Sequence, residues 1–228
     1  MSDLAGKTER INDILEAFMG IPEEKCQGRD LLEQLIITIL SQNTTDVNCF
    51  RAFETLAKRF RGEDGAVDWQ GVADAPQADV ADAIRVGGLG NQKSERIRNI
   101  LQWVRREYGT YTIDPVCQMP PHDAIQRFTA LKGIGVKTIS IVLCFCCGTD
   151  IFPVDTHVNR ICHRLGLVDE KASAEKTFWH MQDLVPPGNS FSLHLNMVRF
   201  GRRVCRARYP ECGACPLTRE CVWYAQNR

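Results

Sequence analysis

Apolar residues recur along most of this chain at the three- and four-residue spacing of an amphipathic helix. One such stripe consists of Leu31, Leu32, Leu35, Ile36 and Ile39, and another of Ile97, Ile100, Leu101 and Val104. This spacing predicts helices with one buried face. No run alternates apolar and polar residues between hairpin turns, as a half-buried strand does. The sequence therefore predicts an all-α fold.

Short polar residues and glycines divide the chain into about ten predicted helices. Helix starts are expected at the segment 43–46, at Asp123 and at Asp155, because short polar side chains accept hydrogen bonds from the unpaired N–H groups of a first turn. Glycine pairs and runs, such as 87–90 and 133–135, mark the connections.

Composition indicates an ordinary globular protein of one domain or two small lobes. The 228 residues are 44% hydrophobic and 25% charged, and no stretch approaches the roughly 20 apolar residues of a membrane span. The first twenty residues lack the pattern of a secretory signal. We therefore expect a monomer that does not bind membranes and lies inside the cell, in the cytoplasm or nucleoid.

Charge is balanced overall and uneven locally. Lys plus Arg and Asp plus Glu both number 28, so net charge does not favour a nucleic-acid partner. Five arginines nevertheless fall within ten residues near the C-terminus without an acid among them: Arg199, Arg202, Arg203, Arg206 and Arg208.

Four cysteines follow in the pattern C-x6-C-x2-C-x5-C, at Cys205, Cys212, Cys215 and Cys221. Four thiolates within seventeen residues are a typical metal-binding set. Zinc and iron–sulfur clusters both accept four cysteines, so the spacing alone leaves both open.

A second motif is Leu-Lys-Gly-Ile-Gly-Val-Lys-Thr at 131–138. Gly133 and Gly135 predict a tight turn between two helices, with the backbone N–H groups near Thr138 able to meet a phosphate. Such a turn is also a common helix connector. Lys137 lies one turn into an apolar helix, where the helix start and partial desolvation would disfavour its charged form. Taken alone, the residue favours the interpretation of a solvated surface lysine.

Asp155, in Val-Asp-Thr-His, is expected to cap a helix and to provide a fixed anion. A fixed carboxylate beside an uncharged lysine is what amine attack on a sugar carbon would use. His157 fits a packing or capping role better than a catalytic one.

Together, the hairpin, Asp155 eighteen residues after Lys137, and the cysteine pattern resemble the endonuclease III family of helix-hairpin-helix DNA glycosylases, from about Leu31 to Cys221. The resemblance implies a two-lobed fold. A six-helix barrel lobe would span 29–147 and contain the helix-hairpin-helix at about 124–147. Residues 1–28 and 148–228 would form the second lobe, with a cluster loop at 205–221.

The resemblance further implies a glycosylase with abasic-site lyase activity on damaged double-stranded DNA, with Lys137 as nucleophile and Asp155 as the essential aspartate. It implies a [4Fe-4S] cluster on the four cysteines, with Arg206 and Arg208 as phosphate contacts. Leu89 matches the residue that is inserted into the base stack, and Asn43 stands where many relatives carry a gap-filling glutamine.

Base specificity stays open at this stage. Oxidised pyrimidines are the expected lesions. The alternatives are a mismatch or adenine glycosylase, a relative of the plant 5-methylcytosine glycosylases, and a non-catalytic, metal-stapled DNA-binding module. Gly90 and Asn43 depart from the family pattern at positions that contact the base and the opposite strand.

Overall fold

A computed structural model describes residues 2–23 and 30–227 of the chain. Within these ranges there is no strand, and β pairing is limited to an isolated bridge between Arg61 and Val67. The prediction of an all-α protein is confirmed. None of the helices in these two ranges combines the length and the apolar character needed to cross a membrane.

The chain divides into two compact units, residues 28–142 and residues 1–27 with 143–228. We refer to them as the central unit and the terminal unit. The lobe boundary predicted after residue 28 lies outside the described residues, since 24–29 are not among them.

Twelve α-helices occur in the described ranges. In chain order they are α1 (Ser2–Met19), α2 (Leu31–Leu40), α3 (Asp46–Arg59), α4 (Trp69–Asp74), α5 (Gln77–Ala83), α6 (Gly90–Tyr108), α7 (Pro121–Thr129), α8 (Val136–Cys146), α9 (Thr156–Leu165), α10 (Ala174–Gln182), α11 (Ser190–Arg203) and α12 (Val222–Gln226). Short 3-10 turns lie at Arg85–Gly87, Asp114–Gln118 and Cys212–Ala214. The sequence predicts fewer helices because α4, α5 and α12 are too short to show a periodic stripe.

Two of the three predicted helix starts are confirmed and one is wrong. The Thr45 hydroxyl accepts from Asn48 N–H at 3.3 Å and caps α3, and Asp155 caps α9. The start predicted at Asp123 is wrong, because α7 begins at Pro121 and Asp123 lies in its first turn. Proline suits the first helical position, where its fixed φ fits and its missing N–H leaves no bond unmade.

The core of the central unit is built around α2, nine of whose ten residues are buried. Leu35, Ile36 and Ile39 have no exposed surface, and burial of each such side chain contributes about 1.5–3 kcal/mol. In that unit α6 packs against α2, α4 and α5, and in the terminal unit α1 and α9 both pack against α11. Helices α6 and α9 thus support the segments that carry the candidate site residues.

Candidate active site and cysteine cluster

The turn between α7 and α8, residues 130–135, forms the predicted hairpin. Gly133 has a φ of 95°, and an added Cβ would lie 2.6 Å from Cδ of Arg96, so only glycine fits there. Gly135 is different: its φ is not positive, it is exposed, and an added Cβ would meet no atom within 4 Å. The turn therefore leaves open space beside the backbone at the start of α8.

Lys137 occupies the first turn of α8 and its side chain is exposed. The predicted partial desolvation is wrong, because the buried residues of α8 include Thr138, Ile139 and Val142 but not Lys137. Thr138 itself is 4% exposed and its N–H donates to Gly135 O at 2.9 Å. The structure therefore does not support Thr138 as a DNA contact, because its side chain is buried and its N–H is already bonded.

Asp155 is fixed at the start of α9 in the terminal unit. Its Oδ1 accepts from the N–H groups of His157 and Val158, both at 2.8 Å. Two such bonds hold the carboxylate in one orientation, because a capping side chain replaces the missing partners of the first turn. The second carboxylate oxygen, Oδ2, is not used in these two bonds and is available to stabilise positive charge.

Arg160 connects the Asp155 helix to the cluster loop, and the sequence did not single it out. Its guanidinium donates to Cys205 O at 2.9 Å and to Gly201 O at 3.0 Å, and it lies 3.1 Å from Nδ1 of His157. Burial lowers the pKa of His157 from its ordinary value of 6.5 and outweighs the opposite effect of the Asp155 charge. The neutral imidazole accordingly packs beside Arg160, as the packing role expected for His157 requires.

The four cysteines Cys205, Cys212, Cys215 and Cys221 line one cavity in the terminal unit. In the described part of the chain no three His, Cys, Asp or Glu side chains are arranged to hold a single metal ion. The cluster loop turns back through the 3-10 turn at Cys212–Ala214, and Cys221 then caps α12 by accepting from Tyr224 N–H at 3.4 Å. Soft sulfur donors therefore surround a common space from several directions.

Arg164, one turn after Arg160, closes a side of this cavity. Its Nη1 donates to Cys205 Sγ at 3.2 Å and to Arg206 O at 2.8 Å, and its Nη2 donates to Ala207 O at 3.1 Å. The guanidinium lies 4.8 Å from the centre of the Trp223 ring, within the range of a cation–π contact. A cation thus touches one of the sulfur atoms and orders the backbone that follows it.

The thiols of this cavity need a positive partner to ionise together. Burial is the main cause that raises the pKa of Cys215 to about 11, and the charges of Cys205, Cys221 and Cys212 act in the same direction. The pKa of Cys221 is raised for the same reasons. Because metal ligands are thiolates, a metal centre would supply the charge that stabilises four of them at one place. The donor set therefore fits a four-cysteine centre.

Leu89 and Asn43, both predicted DNA contacts, share a backbone feature. Both have positive φ, 52° for Leu89 and 53° for Asn43, and both side chains are exposed, Leu89 by 47%. Asparagine adopts this conformation readily, whereas a leucine there is uncommon and points to a local constraint. Leu89 is the N-terminal boundary of α6 and follows Gly88 in an exposed turn.

Arg206 and Arg208 are both exposed on the cluster loop. The Arg206 guanidinium forms an ion pair with Glu211, and both side chains are about half exposed. An exposed pair of this kind contributes only about 0–1 kcal/mol. Arg206 can therefore leave Glu211 for a phosphate at little cost.

Comparison with known proteins agrees with this geometry. Residues 36–187 match the HhH-GPD superfamily of base excision DNA repair proteins. The chain is 31% identical over 200 residues to Endonuclease III of Sulfolobus acidocaldarius, a match that spans 87% of this chain and 85% of that protein.

Two solved structures share the fold at 24% sequence identity. A non-covalent Endonuclease III–DNA complex gives a TM-score of 0.80, covering 98% of this chain and 97% of that one. A trapped Endonuclease III–DNA covalent intermediate gives 0.78, covering 94% and 93%. The chain therefore belongs to the HhH-GPD superfamily, and it is a DNA glycosylase of base excision repair.

Proposed function

We propose that this glycosylase removes oxidised pyrimidines from double-stranded DNA and then cleaves the strand at the abasic site, with Lys137 as the nucleophile. The observation that carries the proposal is the position of Lys137: an exposed amine in the first turn of α8, two residues after the open backbone at Gly135. Helix starts bind phosphates through their N–H groups. The same turn can therefore hold the DNA backbone and present an amine to the adjacent sugar.

In the proposed reaction the Lys137 amine replaces the base on the sugar. After it gives up a proton, the Lys137 amine bonds through its lone pair to C1′ as the C1′–N bond to the base breaks, the bond electrons leave with the base, and the base takes up a proton. The bound amine then gives up one proton and O4′ takes one up as the C1′–O4′ bond breaks, which gives a protonated imine and a C4′ hydroxyl. Loss of a C2′ proton expels the 3′ phosphate and breaks the strand.

Asp155 would stabilise charge on the sugar and would not attack it. Its orientation is set by two backbone bonds before any DNA binds, and a pre-oriented carboxylate stabilises the positive charge that develops on the sugar as the base departs. The trapped covalent state of the related Endonuclease III supports covalent chemistry here. Base flipping into the site would favour damaged bases, because their unstacking costs less.

Cys205, Cys212, Cys215 and Cys221 would hold a [4Fe-4S] cluster in the terminal unit, and the common cavity and the Arg164 contact to sulfur support this. When bound, the cluster supplies a cross-link for the loop that carries Arg206 and Arg208. Zinc, which also accepts four cysteines, is the alternative, although no three side chains of the described residues are arranged around a single ion. A brown protein with about four iron and four sulfide per chain is expected; a colourless protein that contains zinc would overturn the assignment.

Borohydride trapping tests the lyase proposal. Borohydride reduces an imine to a stable amine, so the wild-type protein should form a covalent adduct with abasic DNA, and Lys137→Ala should form none. Lys132→Ala is the matched control, because Lys132 is exposed on the same hairpin five residues earlier. An undiminished adduct with Lys137→Ala would remove Lys137 from the role. Duplexes with single lesions, including mismatches and 5-methylcytosine, then test the substrate class.

A further inference from the structure

Lys93, on α6 of the central unit, is a buried lysine that the proposed chemistry does not use. Its side chain is 1% exposed, and its Nζ donates to Leu40 O at 2.7 Å and to Gly87 O at 2.8 Å. Leu40 is the last residue of α2, where carbonyl groups carry partial negative charge that suits a cation. Burial lowers the pKa of Lys93, so these bonds offset a real desolvation cost.

The second acceptor places Lys93 beside the predicted stacking residue. Gly87 ends the 3-10 turn, and only Gly88 separates it from Leu89. We call residues 87–89 the wedge loop. Leu89 holds a left-handed conformation without a side-chain cap, and such a conformation persists only where its surroundings enforce it. The Lys93 side chain ties the wedge loop to the end of α2, and the Lys93 N–H donates to Leu89 O at 2.9 Å.

Arg96 forms a second tie, one turn further along α6. Its Nη1 donates to Gln42 Oε1 at 2.9 Å, and the Gln42 amide in turn lies 3.5 Å from Gly133 O. The Arg96 side chain also covers Gly133, where an added Cβ would lie 2.6 Å from Arg96 Cδ. Arg96 thus connects the segment 41–45, which contains Asn43, with the hairpin that precedes Lys137.

Helical spacing explains why one helix reaches all three segments. Positions 89, 93 and 96 are separated by four and three residues and therefore lie on one face of α6. Along this face Leu89 projects outward. Lys93 contacts the wedge loop, and Arg96 contacts the segment 41–45 and the hairpin. The three candidate DNA-contacting segments share a single rigid support.

We propose that Lys93 and Arg96 are positioning residues that hold the wedge loop in register with the hairpin, so that Leu89 enters the base stack while the hairpin holds the phosphate. The inference rests on the proposed DNA-cleaving function, since it assigns the support of the same surface. Neither residue touches the reacting atoms; Lys93 acts through Leu89. Apolar side chains inserted between bases unstack them and bend the duplex.

The test uses the full-length protein and a duplex with a tetrahydrofuran abasic analogue flanked by 2-aminopurine, whose fluorescence rises on unstacking. The analogue cannot form an imine, so the assay does not depend on the lyase reaction. Leu89→Ala should lose most of the fluorescence rise at saturating protein, and Lys93→Met should lose a similar fraction. The double variant should lose no more than either alone, because residues that act through one another are not additive.

Controls separate positioning from general damage. Lys58→Met and Arg106→Met remove exposed cations from α3 and α6 of the same unit and should leave the signal unchanged. Affinity for undamaged DNA should change less than about twofold in Lys93→Met, because the phosphate contacts remain. If Lys93→Met does not fold, Arg96→Met, a partly exposed site, carries the same comparison with Leu89→Ala.

A folded variant with a wild-type fluorescence rise, or additive losses in the double variant, would overturn the positioning role. So would a wild-type protein that gives no rise, since Leu89 would then not enter the stack. Absence of a borohydride adduct with cleavable abasic DNA would instead overturn the lyase proposal alone.

Discussion

Two glycines inside helices of the terminal unit should respond in opposite directions to replacement by alanine. Alanine stabilises a helix interior by about 1 kcal/mol relative to glycine. At Gly6 in α1 an added Cβ would lie 3.7 Å from the nearest atom, an ordinary contact with Arg10. Gly6→Ala should therefore keep the full gain, which for a chain of this size raises Tm by about 2–4 °C.

At Gly201 in α11 the same Cβ would lie 2.9 Å from both Cβ and Nδ1 of His157 and 3.1 Å from Arg160. The Cβ of His157 is bonded to the backbone, so relief requires α9 and α11 to separate. Overpacking of this kind costs about 1–3 kcal/mol, which cancels or exceeds the helix gain. Gly201→Ala should thus be less stable than Gly6→Ala by about 1–3 kcal/mol.

Differential scanning calorimetry of the two variants beside wild type measures this difference directly. The pair shares the chemical change, the helical setting and the unit, so packing is the variable that separates them. A Gly201→Ala protein that gains as much stability as Gly6→Ala would refute the view that α9 and α11 meet too closely for a side chain.

Three further predictions concern titration and capping. Asp155→Asn should abolish base excision and change the free energy of unfolding by less than about 0.5 kcal/mol, because asparagine caps a helix nearly as well as aspartate. Asp155→Ala should abolish excision and also lower the free energy of unfolding by about 1 kcal/mol, because alanine does not cap. Excision assays and denaturant unfolding of both variants test this. The pKa of His157 is lowered in the folded protein, so the unfolded chain binds more protons as the pH falls below 6.5, and stability falls there. The Tm of the wild type should therefore drop more than that of His157→Asn between about pH 7.5 and 5.5. Equal drops in Tm would show that His157 is not the cause of this pH dependence. Burial raises the pKa of Cys162 to about 12 and that of Cys49 to about 11. Neither thiol should therefore react with iodoacetamide in the native protein at about pH 8. Detection of either labelled cysteine by mass spectrometry would contradict this.

Local signals in the sequence predict the parts of the site that neighbouring residues specify. The helix class follows from the apolar stripes, the cap at Asp155 from one short polar residue before an apolar run, and the turn from Gly133. Each depends on the chain within about one helical turn. Exposure is not local in this sense, which is why the desolvation expected for Lys137 was wrong.

Lys93 shows what sequence reasoning missed although a signal was present. It precedes Ile97 by four residues and Ile100 by seven, so it lies on the apolar stripe of α6 rather than on the polar face. A lysine in such a position must find buried partners. Its partners, Leu40 and Gly87, are backbone carbonyls set by tertiary packing, and no sequence pattern identifies them.

Four arginines near the cysteine cluster differ in burial and in their partners. Arg160 and Arg164 are partly buried, and their guanidinium groups are satisfied by carbonyl oxygens and, for Arg164, by sulfur. Arg208 is exposed, and Arg206 shares only a weak surface pair. Phosphate binding requires a cation that exchanges solvent or a weak partner for DNA. Arg160 and Arg164 therefore shape the cluster loop, whereas Arg206 and Arg208 fit the phosphate-binding role that we propose for them.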